Sequence, residues 1–267
     1  CIELKAKPIQ EYMRVNLTPM AGEGQRYVDA GYQIRKPFIE VDGLPMVIRA
    51  CQALPLADRY IFVCRKSHLE KYPMEEKIKE YIPNAIIVTV DHLTEGQAIT
   101  CLAARDYIPD DAILTIGASD NDMTFSASEM DRLFLDEEVD GWIWTFRNNP
   151  AVLQNPKMYG WVETFQDSFR AKRVSCKIPL SETPMNDHAV IGAFTFKKAK
   201  YFFEAVEAMV QANERINNEF YVDVAADFSI RAGLNIQACD VDQYICWGTP
   251  QDYTTYLYWL EYFKRRI

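Results

Sequence analysis

Two glycines, Gly22 and Gly24, stand just ahead of Arg26, and ten residues beyond that arginine comes the pair Lys36-Pro37. Residues of these types at this spacing suit the holding of phosphate groups. Glycine lets backbone N–H groups turn inward and approach a ligand with no Cβ in the way. A helix starting behind such a loop adds partial positive charge at its N-terminus. Arg26 offers a planar fork of donors for phosphate oxygens, and Lys36 a movable point charge. The loop follows a short apolar run at 13–17, so the order is strand, Gly-rich loop, helix start. It is not the dinucleotide fingerprint, which requires a third glycine, nor a P-loop, because no Gly-Lys-Ser/Thr follows.

Two further stretches carry groups that could work with such a loop. Ala118-Ser119-Asp120-Asn121-Asp122 follows an apolar run at 112–116. A carboxylate there suits Mg²⁺, which takes oxygen ligands and usually keeps one or two carboxylates plus substrate phosphates. Asp120 is the first choice for that ion and Asp122 the second. Glu95-Gly96-Gln97 follows the run at 85–90, where Gly96 permits close backbone approach and Gln97 offers a donor and an acceptor for a base edge.

The elements that must position these groups alternate. Runs at 59–64, 85–90 and 112–116 are short and almost continuously apolar, the mark of parallel strands buried on both faces. Helical patterns at 45–53, 68–81 and 98–105 lie between them. Strand–helix alternation implies a parallel sheet with helices on both faces, and ligands of such sheets bind outside the carboxyl ends of the strands. All three candidate stretches fall at such ends. From about residue 140 the pattern changes: 141–146, 159–163, 171–176 and 189–196 read as largely antiparallel strands. Helices at 198–213 and 222–232, a strand at 235–240 and an aromatic-rich helix at 251–266 follow. Prolines and polar residues mark 148–156 and 178–186 as loops.

Composition sets the outer limits. With 267 residues, about half apolar and a quarter charged, the chain can form one large α/β domain. The expected division is an extension or linker at 1–13, which could join a longer polypeptide, and a single domain at 14–267. That domain falls into two halves, 14–135 and 136–267. A net charge of −9 argues against a nucleic-acid partner. No apolar run reaches the roughly 20 residues that span a bilayer. The seven cysteines are scattered without a C-x-x-C pair, and Cys51, Cys64 and Cys101 lie in apolar runs. Buried free thiols in a reducing cytoplasm are expected. Three histidines, none at ligand spacing, speak against zinc.

The whole pattern, from the apolar strand through G-x-G-x-R to K-P and the short strand and turn at 38–43, resembles the signature of the sugar-nucleotide pyrophosphorylases. Downstream, Tyr159-Gly160, Lys177-Ile-Pro and the strand bearing Gly192 resemble that family's Y-G, E-K-P and glycine-bearing strand. The resemblance covers roughly residues 14–255, and it implies that 14–135 is a nucleotide-binding half and 136–267 a sugar-phosphate-binding half. It implies a GT-A-like α/β fold, with a mostly parallel central sheet, helices on both faces and a smaller antiparallel sheet on the substrate side. The implied reaction transfers a nucleotide from a triphosphate (CTP, UTP or dTTP) to a sugar phosphate or similar phosphorylated alcohol, releasing pyrophosphate. Precursors of polysaccharide or cell-surface glycans would be the products. By the same resemblance Met20, Ala21, Gly22, Glu23, Gly24, Glu95, Gly96, Gln97 and Ser119 surround the nucleotide. Tyr159, Gly160, Lys177, Gly192 and Glu219 surround the second substrate. Arg26, Lys36, Asp120 and Lys177 act on the phosphates, and Mg²⁺ is drawn from Asp120, Asp122 and Asp223. Assembly into a homo-oligomer is left open.

Two positions depart from the family pattern. Cys176 stands where a glutamate is usual, which weakens hydroxyl recognition there and leaves Lys177 intact. Cys246 stands where an aspartate usually supplies the second metal carboxylate, and a thiol is a poor Mg²⁺ ligand. Another acid (Asp223, Asp187 or Asp242) takes its place, or one carboxylate and phosphates hold the metal, or catalysis is impaired. Two other classes stay open. Asp120-Asn-Asp122 fits the D-x-D spacing of a glycosyltransferase, and a non-catalytic nucleotide-binding module would explain Cys246.

Overall fold

The computed structural model describes residues 12–266, so nearly all of the expected extension lies outside the described residues. The chain opens with β1 (Arg14–Pro19), the Gly-rich loop and a short α1 (Gln25–Asp29). A small antiparallel pair follows, β2 (Glu40–Val41) with β3 (Leu44–Pro45), and leads into α2 (Met46–Gln52). Next come β4 (Arg59–Arg65), α3 (Lys66–Leu69), α4 (Met74–Lys79), β5 (Ile86–Val90), α5 (Gln97–Leu102) and β6 (Ile113–Ile116). The chain continues through β7 (Asn121–Thr124), α6 (Ala127–Leu135), β8 (Gly141–Phe146), β9 (Gly160–Thr164), β10 (Ala171–Cys176) and β11 (His188–Phe196). It closes with α7 (Ala199–Gln211), α8 (Val222–Arg231), β12 (Ile236–Asp240), β13 (Gln243–Cys246) and α9 (Pro250–Lys264).

The main sheet runs β10-β9-β11-β6-β1-β4-β5, with β8 also on β11 and β12 beyond β8. Strands β5, β4, β1 and β6 are mutually parallel; β11 is antiparallel to β6, β8 and β9. The antiparallel strands β9 and β10 thus join the parallel part through β11. Two small antiparallel sheets stand apart, β7 with β13 and β2 with β3. Sequence order reverses at β1, whose neighbours are β4 and β6, and such a switch point opens a crevice at the carboxyl ends of the strands.

Strand alternation divides the core. Ile61 and Val63 of β4 face one cluster with Leu17 and Leu114, packed by Phe202 and Phe203 of α7 and Ala225 and Ala226 of α8. Phe62 and Cys64 face the opposite cluster, closed by Val47 and Ile48 of α2 and by Met74 and Ile78 of α4. In β8, Ile143 joins the first core, while Trp142 and Trp144 turn to a third cluster with Trp161 and Leu133 of α6. Side chains of period two on a sheet covered on both faces require this division.

Four elements differ from the sequence reading. The single helix expected over 68–81 is two short ones, because Pro73 cannot donate to a helical ladder and disfavours helix in the residue before it. Helix α6 was not anticipated; Ser126 caps it, its hydroxyl accepting from the Glu129 N–H at 3.4 Å. Nor were β7 and β13, which pair Asn121 with Cys246. Cys51, Cys64 and Cys101 are buried as their apolar runs suggest, Cys176 and Cys239 are buried too, and all six described cysteines are free thiols. Among the described residues no helix is long and apolar enough to cross a membrane.

Candidate active site

The Gly-rich loop leaves β1 at its carboxyl end, where the Met20 N–H donates to the Val63 carbonyl at 2.8 Å. Gly24 precedes α1 with φ 65°, a left-handed conformation that favours glycine, and an added Cβ would press on Lys36 Cβ at 3.1 Å. Gly22 faces open space, with nothing within 4 Å of where its Cβ would stand. It lines a cavity of about 240 Å³ together with Pro19, Ala21, Thr94, Gly96, Gln97 and Glu219. Arg26 is exposed at the start of α1 and lines an adjoining cleft. Tyr27, one residue on, is buried and its hydroxyl donates to the Trp247 carbonyl at 2.6 Å, which ties α1 to the turn after β13.

That turn brings the metal candidates together with the loop. Lys36 forms an ion pair with Asp120, and its ammonium also donates to the Gly248 carbonyl at 3.4 Å. The Asp120 carbonyl accepts from the Trp247 N–H at 2.8 Å. Cys246 is directly beside them: its sulfur accepts from the Gly248 N–H at 3.2 Å. Burial, reinforced by the Asp120 carboxylate, pushes the Cys246 thiol up to about 11, so it stays protonated. The next strand position, Asn121, is buried and donates to the Ile191 carbonyl at 2.5 Å. Alternation along β7 then turns Asp122 away. Asp122 does not line the cleft; it is partly buried towards Arg49, and burial raises its carboxyl. The two aspartates of the D-x-D spacing therefore do not share the cleft.

The half expected to hold a second substrate is built from β9, β10, β11 and α8. Lys177 leaves β10 with φ 61°, unusual for a residue with a side chain, and its N–H donates to the Tyr159 carbonyl at 3.1 Å. Its ammonium lies 4.9 Å from the centre of the Tyr221 ring. Gly192 breaks the register of β11 with φ 83°, against Ala118. Gly160 serves Asp223: a Cβ there would collide with the Asp223 carboxylate. Burial raises the Asp223 carboxyl to about 6, opposed by its own backbone N–H and by Lys177.

The stretch after β5 has a different logic from the one its glycine suggests. Gly96 adopts φ 122°, and a Cβ on it would lie 2.6 Å from both the N and the O of Phe220. The close approach is made by the protein's own chain, since the Phe220 N–H donates to Glu95 and the Ala98 N–H to Phe220. Glu95 pairs with Arg215 at 2.7 Å and does not line either cavity. Gln97 lines both, and so joins the cavity at the loop to the cleft at Lys177. Glu23 is held by Arg65 and by Arg35, with the buried His68 beside it. Arg65 keeps the Glu23 carboxyl below the usual range, while burial keeps His68 neutral at about 4. Met20 packs into the core beneath α2. Ser119 is half-buried and lines neither cavity.

One cleft of about 260 Å³ therefore collects Arg26, Asp120, Tyr159, Gly160, Lys177, Gly192 and Asp223. The cavity at the glycine loop collects Ala21, Gly22, Gly96 and Glu219, with Glu219 beside the loop rather than beside Lys177. Glu23, Glu95 and Asp122 point their carboxylates into other interactions. Thr94, Asn121, Tyr221 and Tyr244 also line these spaces and were not singled out from sequence. Only Asn121 carried a signal, as a member of the polar stretch 118–122 that follows an apolar strand.

No protein-family model matches the chain, and no curated protein matches its sequence. Solved structures do. The nucleoside-diphosphate-sugar pyrophosphorylase from Vibrio cholerae RC9 is similar with a TM-score of 0.71 and 21% identity, over 91% of this chain and 99% of that one. The inositol-1-phosphate CTP transferase from T. maritima is similar at 0.69 and 14%, over 92% and 94%. A UDP-glucose pyrophosphorylase complexed with UDP-glucose is similar at 0.69 and 17%, over 95% and 99%. The chain has the fold of the sugar-phosphate nucleotidyltransferases.

Proposed function

We propose that this chain is a nucleotidyltransferase that joins a nucleoside monophosphate unit from a triphosphate to a phosphate monoester of the sugar-phosphate kind. The observation that carries this reading is that Arg26, Asp120 and Lys177, from three distant stretches, line one cleft that Gln97 joins to the glycine-lined cavity. In the reaction, a phosphate oxygen of the second substrate attacks the α-phosphorus in line. The bond from that phosphorus to the bridging oxygen breaks, and pyrophosphate leaves with the electron pair. The nucleophile is already an anion, so the protein needs no general base and acts by positioning and charge neutralisation. Arg26 stabilises the charge that develops on pyrophosphate, Lys36 the phosphates around the reacting phosphorus, and Lys177 holds the attacking phosphate.

The donor set suits Mg²⁺ through a single carboxylate. Asp120 faces the cleft, the neighbouring Cys246 is a protonated thiol, and no group of three His, Cys, Asp or Glu converges among the described residues. Asp120 would hold the ion together with substrate phosphates, and when bound it would neutralise phosphate charge. Lys36, now on Asp120, would be freed to reach the phosphates. We assign the enzyme to a reducing cytoplasm, where its free thiols persist, and its product to glycan precursor supply.

Calorimetry with the four triphosphates tests the reading. Binding of at least one, lost in Arg26→Ala and kept in Lys177→Met, is expected. Absence of binding for all four would overturn it.

A further inference from the structure

Asp223 is a carboxylate without a partner. It projects from the first turn of α8 against the glycine face of β9, in the cleft. Among the described residues its only hydrogen bond comes from its own backbone, and Lys177 is near without forming an ion pair with it. A charged group in such a place calls for a ligand that donates to it. Tyr159, Tyr221 and Tyr244 line the same cleft, and the Tyr221 ring already lies beside one cation, the Lys177 ammonium at 4.9 Å. Aromatic faces attract positive charge.

Apart from Gln97 and the tyrosine hydroxyls, the neutral part of the lining offers few hydrogen-bonding side chains. Cys176 precedes Lys177, Met158, Val190 and Ile191 are apolar, and the Asn121 amide is spent on the Ile191 carbonyl. A hydroxyl would donate to Asp223 but leave its charge uncancelled, whereas an ammonium donates and neutralises it. Resting on the nucleotidyltransferase reading, we infer that the second substrate is a phosphate monoester bearing a positively charged amine. Its phosphate lies at Lys177 and its ammonium is received by Asp223 among the three tyrosines. An amino-sugar phosphate and a phosphorylated amino alcohol share this chemistry.

Pyrophosphate release separates the cases. Glucosamine 1-phosphate is measured against glucose 1-phosphate, and phosphoethanolamine and phosphocholine against ethylene glycol monophosphate, each with all four triphosphates. At least one amine-bearing ester should exceed its neutral counterpart by about tenfold or more in kcat/KM, and its identity distinguishes the two sources. Asp223→Asn, nearly isosteric, should lower kcat/KM for that amine by about 10- to 100-fold, the scale of one charged hydrogen-bonding contact. The preference for the amine, taken as the ratio of the two kcat/KM values, should fall by about tenfold or more, because the neutral ester lacks that contact. Asp223→Ser serves as a second variant, with thermal unfolding recorded for both. Preference for the neutral esters, or equal loss on both kinds in either folded variant, would overturn the inference while leaving the nucleotidyltransferase reading in place. No turnover of any ester with any triphosphate would overturn both.

Discussion

Gly96→Ala tests how the glycine-lined cavity is built. Two costs follow from the geometry. The conformation at φ 122°, ψ 173° belongs to a region open essentially to glycine alone, and an L residue there costs about 1–3 kcal/mol. The added Cβ would also stand 2.6 Å from the Phe220 N and O, whereas ordinary contact begins at 3.4 Å. Separating the two segments strains the hydrogen bonds from Phe220 to Glu95 at 2.8 Å and from Ala98 to Phe220 at 3.0 Å, each worth about 1 kcal/mol net. A loss of about 3–5 kcal/mol is expected, read as a lower midpoint in urea unfolding at unchanged slope. Gly233→Ala is the control: φ is 94° but nothing lies within 4 Å, so only the backbone cost remains, about 1–2 kcal/mol. Equal losses in the two variants would refute the claim that packing of Phe220 sets this glycine.

Other variants separate the roles of single groups. Arg26→Ala, at an exposed position, should leave unfolding unchanged and reduce pyrophosphate release about 100-fold or more, on the scale of one preorganised donor at a developing negative charge. Asp120→Asn should remove Mg²⁺-dependent activity far more than Asp122→Asn, as compared in a metal titration, since Asp122 does not line the cleft. Lys177→Met should raise KM for the phosphate ester by about 10- to 100-fold, with triphosphate affinity by calorimetry within a few-fold. Equal weakening of both ligands would move Lys177 to the triphosphate.

The parallel strands were legible because burial on both faces writes itself as unbroken apolar runs, as at Ile61 to Cys64. The loop of Gly22, Gly24 and Arg26 was legible because the residues that form it lie within one short stretch, with Lys36 against Gly24 only twelve positions on. What escaped the reading depends on distant contacts. The two-residue-spaced carboxylates Asp120 and Asp122 look equivalent in sequence, and only the pairing of β7 with β13 shows which one faces the cleft. Gly96 suggests room for a ligand, yet the room is filled by Phe220, far along the chain. Asp223 and Gly160 are likewise separated in sequence and matched in shape. Strands as short and polar as Asn121–Thr124 carry too little alternation to register.

Identification of the product tests the central claim most directly. The protein is incubated with each of the four triphosphates, Mg²⁺ and a panel of sugar phosphates and other phosphate monoesters, and pyrophosphate and product mass are followed together. Stoichiometric pyrophosphate with one new nucleotide diphospho-ester, for one triphosphate and one ester, is the predicted result. Phosphate release without such a product, transfer of a sugar from a supplied nucleotide-sugar, or no turnover of any pair would contradict it.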